Sequence, residues 1–435
     1  MISPNIFKAY DIRGIYPAEI NEETAYAIGQ ALVADTNAKT VALGQDIRLS
    51  SKSLAKALSL GILDSGADIY DLGQIPTEMI YYSVGKKGYD AGIMVTASHN
   101  PKEYNGFKMI KKSSNGFEMI SGKSLALGEV ASTKKGRKKK IDLKKEYAQH
   151  CLSLFPKKDL RVVVDASNGM ASKIIPFLGI KTIPLNFKLD GRFPGHSPNP
   201  LEEGSTQQIS KAVLEKKADF GVIFDGDADR IFLITEKGEL VRGDATLLLL
   251  AKYFLDNKLG DSFAYNLICS RAVPELIGQW GGRAVRTPVG YLNVKEGLVK
   301  NSGALGGEIS GHYCFRDNFY GDSGVMAFLV LLNVLSGKKA SELAKEMTPY
   351  AKGAEINFTV KDKEAVMQKV KEKYADGKID YLDGITIQYE KWWFNLRPSN
   401  TEPLLRLTIE AEESNLLEEQ KAKLVSFILS FCNSK

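Results

Sequence analysis

Three carboxylates alternate in Asp225-Gly226-Asp227-Ala228-Asp229-Arg230, directly after the apolar run Phe220-Gly221-Val222-Ile223-Phe224. Carboxylates this close repel one another unless a cation neutralises them, and a tight loop can turn their hard oxygens toward one ion. Magnesium suits such a set, because it takes a few carboxylates and keeps positions for phosphate or water. An EF-hand loop also begins D-x-D-x-D, and Glu236 falls at its twelfth position. That alternative fails because Arg230 stands where the sixth position needs glycine and the flanks read as strands.

Three further stretches offer other chemistry. Thr96-Ala97-Ser98-His99-Asn100-Pro101 leaves an apolar strand and would expose the Ser98 hydroxyl at a sheet edge, where it could accept and return a phosphoryl group. A turn shaped by Asn100 and Pro101 is the mundane alternative. Serine-hydrolase chemistry fits poorly: no G-x-S-x-G surrounds Ser98, and His99 is expected to point away from it. Gly306-Gly307-Glu308-Ile309-Ser310-Gly311-His312 mixes a carboxylate, a hydroxyl and an imidazole suited to vicinal sugar hydroxyls, although a glycine-rich turn is its first reading in isolation. Arg397-Pro398-Ser399-Asn400-Thr401-Glu402-Pro403 supplies a guanidinium, two hydroxyls and successive backbone N–H groups, the parts of a phosphate nest to which Arg406 adds charge. Tyr10-Asp11-Ile12-Arg13-Gly14 and Gly44-Gln45-Asp46-Ile47-Arg48 bring further arginines, each open to the alternative of a surface salt bridge.

The elements that position these residues follow a simple grammar. Up to about residue 150, helical patterns alternate with short β-rich runs (40–43, a helix over 52–65, then 92–95), which implies a parallel sheet with crossover helices. A second cycle covers 160–165, a helix over 205–217 and a strand over 220–224, and a third runs from about 245 through strands at 264–269 and 304–308 to an apolar helix over 325–335. After about 350 the order changes to strand 356–360, helix 363–374, strands 386–390 and 404–409, and a last helix over 416–431. The predicted division is therefore three α/β units, 1–150, 151–243 and 244–348, and a smaller α+β unit, 349–435. In open α/β sheets ligands gather beyond the carboxyl ends of strands, where these loops lie.

Composition narrows the functional class. With 435 residues, 44% hydrophobic and 25% charged, the chain can form several cores of about 100–150 residues each. A formal charge of +6 is too weak to argue for nucleic acid or membrane. The basic run over 134–140 lacks interleaved aromatics and reads as a solvated linker or helix approach. Cys151, Cys269, Cys314 and Cys432 show no CxxC spacing, so neither zinc nor a disulfide framework is indicated. Charged residues Lys8, Asp11 and Arg13 so near the start argue against a signal peptide, and the apolar runs fall short of a membrane span. A cytosolic location is expected, and a monomer is favoured among oligomeric states.

Taken in order, Tyr10 to Gly14, Thr96 to Pro101, Asp225 to Arg230, Gly307 to His312 and Arg397 to Glu402 resemble the signature loops of the α-D-phosphohexomutase superfamily, which includes phosphomannomutases, phosphoglucomutases and phosphoglucosamine mutases. Tyr104-Asn105-Gly106-Phe107-Lys108 is similar to the same family's wording. The resemblance implies three related α/β domains with mixed or parallel sheets and a smaller C-terminal α+β domain around one cleft. It implies that Ser98 is the phosphoserine, and that Asp225, Asp227 and Asp229 with a Ser98 phosphate oxygen hold Mg2+. Glu308 and Ser310 would recognise the sugar, with Tyr10 lining the site, and Arg397, Ser399, Asn400 and Thr401, aided by Arg406, would grip the non-reacting phosphate. Arg13, Lys108 and Arg230, beside His99, would surround the transferring group. Lys108 or His312 would move the hydroxyl proton, Lys108 being preferred. The implied reaction interconverts hexose 1-phosphate and hexose 6-phosphate through a hexose 1,6-bisphosphate, which also serves as activator.

Glu308-Ile309-Ser310-Gly311-His312 is closest to the bacterial phosphomannomutase/phosphoglucomutase wording, which favours mannose or glucose phosphate; phosphoglucosamine mutase commonly has glutamine where Ile309 stands. Asp322-Ser323-Gly324 and the tyrosine of Gly290-Tyr291 depart from the family pattern. A magnesium-dependent sugar phosphatase and a non-catalytic sugar-phosphate sensor are the alternatives from other classes.

Overall fold

The computed structural model describes residues 2–127, 132, 134–399 and 404–432. Four sheets follow one another along the chain, with seven, four, five and six strands. In the first, Thr40–Gln45 pairs in parallel with Asp68–Gln74 and Ala91–Val95, while helices Glu22–Thr36, Ser51–Asp64 and Glu78–Lys87 make the crossovers. The sheet is mixed where the alternation predicted parallel pairing: Tyr104–Ser113 runs antiparallel to both Ala91–Val95 and Ile12–Ile15. The reason is the length of the connection. Residues 96–103 are too few for a crossover, which needs about a dozen or more, so the chain turns back on itself and leaves Ser98 in that turn.

The basic run is not a linker. Lys138–Lys140 forms an edge strand parallel to Asp68–Gln74, and its neighbourhood is neutralised by Lys138–Asp71 at 3.0 Å and Lys135–Asp64 at 2.7 Å. Lysines on an edge also discourage pairing with other chains.

The second sheet orders Ile231–Ile234, Phe220–Phe224, Val162–Asp165 and Thr182–Leu185, and the third Arg283–Thr287, Ser262–Asn266, Leu305–Gly307, Tyr313–Phe315 and Gly321–Asp322. Helix Gly324–Val334 follows, and Val325 to Leu332 are all buried. It belongs to a core that runs continuously through the first three sheets, joining Tyr82 and Met94 to Val162 and Phe224 and to Leu305 and Phe328. Among the described residues no helix is long and apolar enough to cross a membrane.

The last unit has its own core, in which Phe394, Leu396, Leu407 and Ile409 pack beneath Val370, Leu424 and Ile428. Its strand Trp392–Pro398 was not expected from the sequence, which placed Arg397 in a loop; the run Trp-Trp-Phe-Asn-Leu alternates faces and carries Arg397 to the strand end. This unit is tied to the third sheet by polar contacts: Arg271 to Glu412 at 3.1 Å and to the Glu390 carbonyl at 2.9 Å, Arg286 to Asp380 at 2.9 Å, and the Val289 amide to Asp383 at 3.0 Å. A cavity of about 310 Å³ separates the two surfaces, lined by Tyr265, Arg271, Arg286, Thr386 and Trp393.

Glu78 opens helix Glu78–Lys87 and is wholly buried against the start of helix Gly324–Val334, where its Oε2 accepts the Val325 amide at 3.5 Å while Oε1 has no hydrogen-bond partner among the described residues. Burial pushes its carboxyl up to about 8. The native state therefore holds a proton that the unfolded chain releases, so stability is lost as pH rises from the ordinary carboxyl value of 4.5 toward 8. Glu78→Gln is expected to unfold at a higher temperature than the parent at pH 8.5 but not at pH 5; equal differences at both pH values in thermal melts would refute this.

Candidate active site

Ser98 lies one turn beyond the strand Ala91–Val95, all of whose residues are buried. Its φ is +49°, a left-handed conformation that costs a non-glycine residue roughly 1–2 kcal/mol. Its side chain is pointed inward as a result: Oγ donates to Asp225 Oδ2 at 2.7 Å. The same turn brings His99 Nδ1 to 3.4 Å from Oγ, where the sequence had suggested it would point away. His99 is held well below its usual pKa by burial and by the charges of Arg230 and Arg13, so it faces the hydroxyl as a neutral ring.

The three aspartates occupy the hairpin between Phe220–Phe224 and Ile231–Ile234, with Ala228 at φ +64° shaping the bend. All three are buried, and one oxygen from each lies within 4.8 Å of the others. Lys108, from strand Tyr104–Ser113, ion-pairs with Asp229 and with Asp227 Oδ2, the latter at 2.9 Å. The Thr77 hydroxyl donates to the same Asp227 oxygen at 2.6 Å. Burial and the like charges of Asp229 and Asp227 raise the Asp225 carboxyl well above its usual range. Burial opposes ionisation of Asp227 too, but Lys108 and the hydroxyl donors outweigh it and hold that carboxyl below its usual range. Lys108 is held above its ordinary value, since its two carboxylate partners overcome its own burial.

These residues fit a metal ion. Asp227 Oδ1 and Asp229 Oδ1 are buried without a hydrogen-bond partner among the described residues, and a third carboxyl raised by its neighbours gains from added positive charge. The cluster is therefore able to hold a divalent cation, with Lys108 partly neutralising it otherwise.

Sequence-predicted residues of the first and third sheets converge on the same place. Arg230 Nε is 3.7 Å from Asp225 Oδ2 and donates to His312 Nε2 at 3.1 Å. That contact makes Nε2 the acceptor nitrogen and puts the ring proton on Nδ1, which faces Ser310 Oγ at 3.0 Å and Glu308 Oε2 at 3.2 Å. Burial and Arg230 lower the His312 pKa, so the ring is neutral. Glu308 is fixed through its other oxygen by Asn266 at 3.0 Å and the Gly290 amide at 3.1 Å. Arg13 donates to Asp11 at 2.7 Å, to the Asn100 side chain and to the Ala97 carbonyl at 3.4 Å, and so borders the serine turn. Tyr10 reaches across to the third sheet: a Cβ on Gly290, whose φ of +123° already favours glycine, would lie 2.4 Å from its hydroxyl.

Arg397 and Arg406 form a separate group on the fourth sheet, where Glu355 bridges them at 2.9 and 3.1 Å. Arg397 is buried and its Nε has no hydrogen-bond partner among the described residues, while Ser399 is buried beside it. Asn400 and Thr401 lie outside the described residues.

Several members of the site were not read from the sequence. Asp322, 1% exposed, has Oδ2 3.8 Å from His312 Nε2 and forms with Asp229 and His312 a second group of potential ligands. Its neighbour Ser323 betrays the place, as the cap of the apolar helix. Thr77 had no local signal, since only tertiary folding brings it to Asp227. Asn266 lies at a strand end, the position where ligand-facing residues collect.

Known proteins match this architecture throughout. Residues 4–129, 145–238 and 242–350 match the α/β/α domains I, II and III of phosphoglucomutase/phosphomannomutase, and residues 355–426 match the C-terminal domain. The phosphomannomutase of Methanocaldococcus jannaschii is 36% identical over 97% of each chain, and that of Escherichia coli K12 is 34% identical over 98% of each. A crystal structure of a phosphoglucomutase/phosphomannomutase family protein from Burkholderia thailandensis superposes with a TM-score of 0.87 at 28% identity, covering 100% of this chain and 99% of that one. With all four domains matched in order, and relatives aligned end to end, this chain belongs to the phosphoglucomutase/phosphomannomutase family.

Proposed function

We propose that this protein is a cytosolic, monomeric phosphohexomutase that interconverts the 1- and 6-phosphates of mannose, and of glucose, through a phosphorylated Ser98 and a hexose 1,6-bisphosphate. The observation carrying this reading is the 2.7 Å contact between Ser98 Oγ and Asp225 Oδ2, which joins the hydroxyl on one sheet to the aspartate triplet on another. The names of the relatives support mannose, and so does the Glu308 to His312 wording.

In the forward step a sugar hydroxyl attacks phosphorus, the bond from phosphorus to Ser98 Oγ breaks, and the hydroxyl proton leaves. Phosphate monoesters are so inert that catalysis rests on positioning and charge neutralisation, with enhancements near 10²¹ known for the class. Mg2+ held by Asp225, Asp227, Asp229 and a Ser98 phosphate oxygen would supply part of that charge. The remainder comes from Arg13, Arg230 and Lys108, which surround the serine turn. Lys108 is an ammonium at neutral pH even at its ordinary pKa and has no lone pair to take a proton, whereas neutral His312 offers Nε2 once Arg230 turns to the phosphate. We therefore assign the proton to His312, not to Lys108. Glu308 and Ser310 orient the sugar hydroxyls, with Tyr10 across the cleft. Arg397, Arg406, Ser399 and the turn holding Asn400 and Thr401 grip the phosphate that does not react, and must do so in both orientations of the bisphosphate.

A coupled assay of mannose, glucose and glucosamine 1-phosphates, reading the 6-phosphates formed, tests the reading. Turnover of mannose 1-phosphate is expected; inorganic phosphate released without isomer would make the protein a phosphatase, and exclusive turnover of the glucosamine ester would move it to the sister activity. Arg397→Ala is expected to raise KM at least 30-fold while kcat falls by less, because the guanidinium binds the phosphate equally in ground and transition states. A KM within threefold of the parent would remove Arg397 from the grip.

A further inference from the structure

Arg48 is fully buried, although the sequence left it open to the reading of a surface ion pair. All four hydrogens of its terminal nitrogens are used on backbone carbonyls of one loop. Nη1 donates to Pro101 at 2.7 Å and Tyr104 at 2.9 Å, and Nη2 donates to Ser98 at 2.8 Å and Asn100 at 2.6 Å. The guanidinium is itself fixed. Nε lies 3.2 Å from Asp46 Oδ2, Phe193 covers its face at 5.4 Å, and Arg48 makes a backbone bridge to Gly191 in the second sheet's loop.

Asp46 coordinates a second arm. Its Oδ2 accepts the Thr96 hydroxyl at 2.7 Å, and Thr96 Oγ1 in turn accepts the Ser98 amide at 2.9 Å. Both polar backbone groups of Ser98 therefore end on one buried unit, the N–H through Thr96 and the C=O through Arg48. Ser98 is the residue in the left-handed region, and such strain persists only where the surroundings over-determine it. The opposite wall is equally close: a Cβ on Gly226, between two of the aspartates, would lie 2.9 Å from the Ser98 carbonyl oxygen.

We propose that Asp46, Arg48 and Thr96 are positioning residues that hold Ser98 in its left-handed conformation, so that Oγ faces the aspartate triplet and the phosphoryl group is transferred in line. The inference rests on the reading of Ser98 as phosphoryl carrier. It separates these residues from substrate binding, because none of the contacts above involves Glu308, Ser310, Arg397 or the other residues assigned to the sugar and its distal phosphate. Lysine cannot replace Arg48, since one ammonium cannot span four carbonyls.

The test compares Arg48→Lys with the parent, using mannose 1-phosphate, or whichever hexose phosphate the parent turns over, and the matching 1,6-bisphosphate. The expected result is a kcat lower by about 100-fold, a KM within threefold, and an equally slowed phosphorylation of Ser98 by the bisphosphate, followed by intact mass. A near-parental kcat, or a loss expressed only in KM, overturns the proposal. If Arg48→Lys does not fold, Thr96→Val and Thr96→Ser decide: the valine should lose kcat at constant KM and the serine should recover most of it, whereas equal behaviour of the two overturns the idea. Ser98→Ala serves as the control. If it stays active, the phosphoserine reading itself has failed; if it is inactive while Arg48→Lys and Thr96→Val match the parent, only the positioning role has.

Discussion

Ser98→Ala should reduce turnover by at least about 10⁴-fold while leaving the fold and the affinity for sugar phosphate intact, because in the proposed mechanism it deletes the atom that carries the phosphoryl group between the two ends of the sugar. Alanine fits the space, and the loss of one hydrogen bond to Asp225 is minor beside the loss of the covalent step. Steady-state assay with saturating bisphosphate, alongside intact mass of the parent purified from cells, measures both halves of the claim. The parent should carry one phosphate that the variant lacks. Parental turnover by the variant would sink the mechanism.

Lys108→Met should be nearly as severe, with a loss of at least about 10³-fold in kcat, and it should also change what the fold requires. Lys108 offsets two buried carboxylates, Asp227 and Asp229, beside a third, Asp225. Removing one partner of a buried pair and leaving the other uncompensated costs about 3–5 kcal/mol. Thermal melts with EDTA should show the variant clearly destabilised, and millimolar magnesium should restore more of its unfolding temperature than it adds to the parent. Equal magnesium effects on the two proteins would show that Lys108 does not stand in for cation charge. The residual activity should keep the parental fall at acid pH, which belongs to His312 and lies below the ordinary imidazole value of 6.5 because burial and Arg230 lower its pKa. In His312→Asn that limb should vanish.

Much of this site was legible because strand-end loops are local. Asp225 to Asp229 and Ser98 each announce themselves by an apolar run followed at once by polar residues, and no tertiary knowledge is needed to place them at carboxyl ends of strands. Arg48, Thr77 and Asp322 behaved differently. Nothing in their immediate sequence distinguishes a surface charge or a turn hydroxyl from a buried partner of another segment: Thr77 and Asp322 meet aspartates of the second sheet, and Arg48 meets carbonyls of the distant serine loop. The same limit explains the strand Trp392–Pro398 and the edge strand Lys138–Lys140. The former merges with a turn whose arginine dominates the reading. The latter is all lysine, and it is a strand through its backbone pairing with Asp68–Gln74, with Asp71 facing Lys138. The proposed choice of His312 over Lys108 was also out of reach, because it turns on Arg230 donating to His312 Nε2, a contact between two sheets.

The ion pairs joining the fourth sheet to the third have one more consequence. Water and dissolved salt can replace Arg271–Glu412 and Arg286–Asp380 at little cost when the two surfaces part, and the apolar cluster beneath Phe394 stays sealed within its own unit throughout. If the arm bearing Arg397 swings away to release a sugar phosphate, as the proposed cycle asks, the surfaces that part are held by charged side chains and that unit's core stays covered.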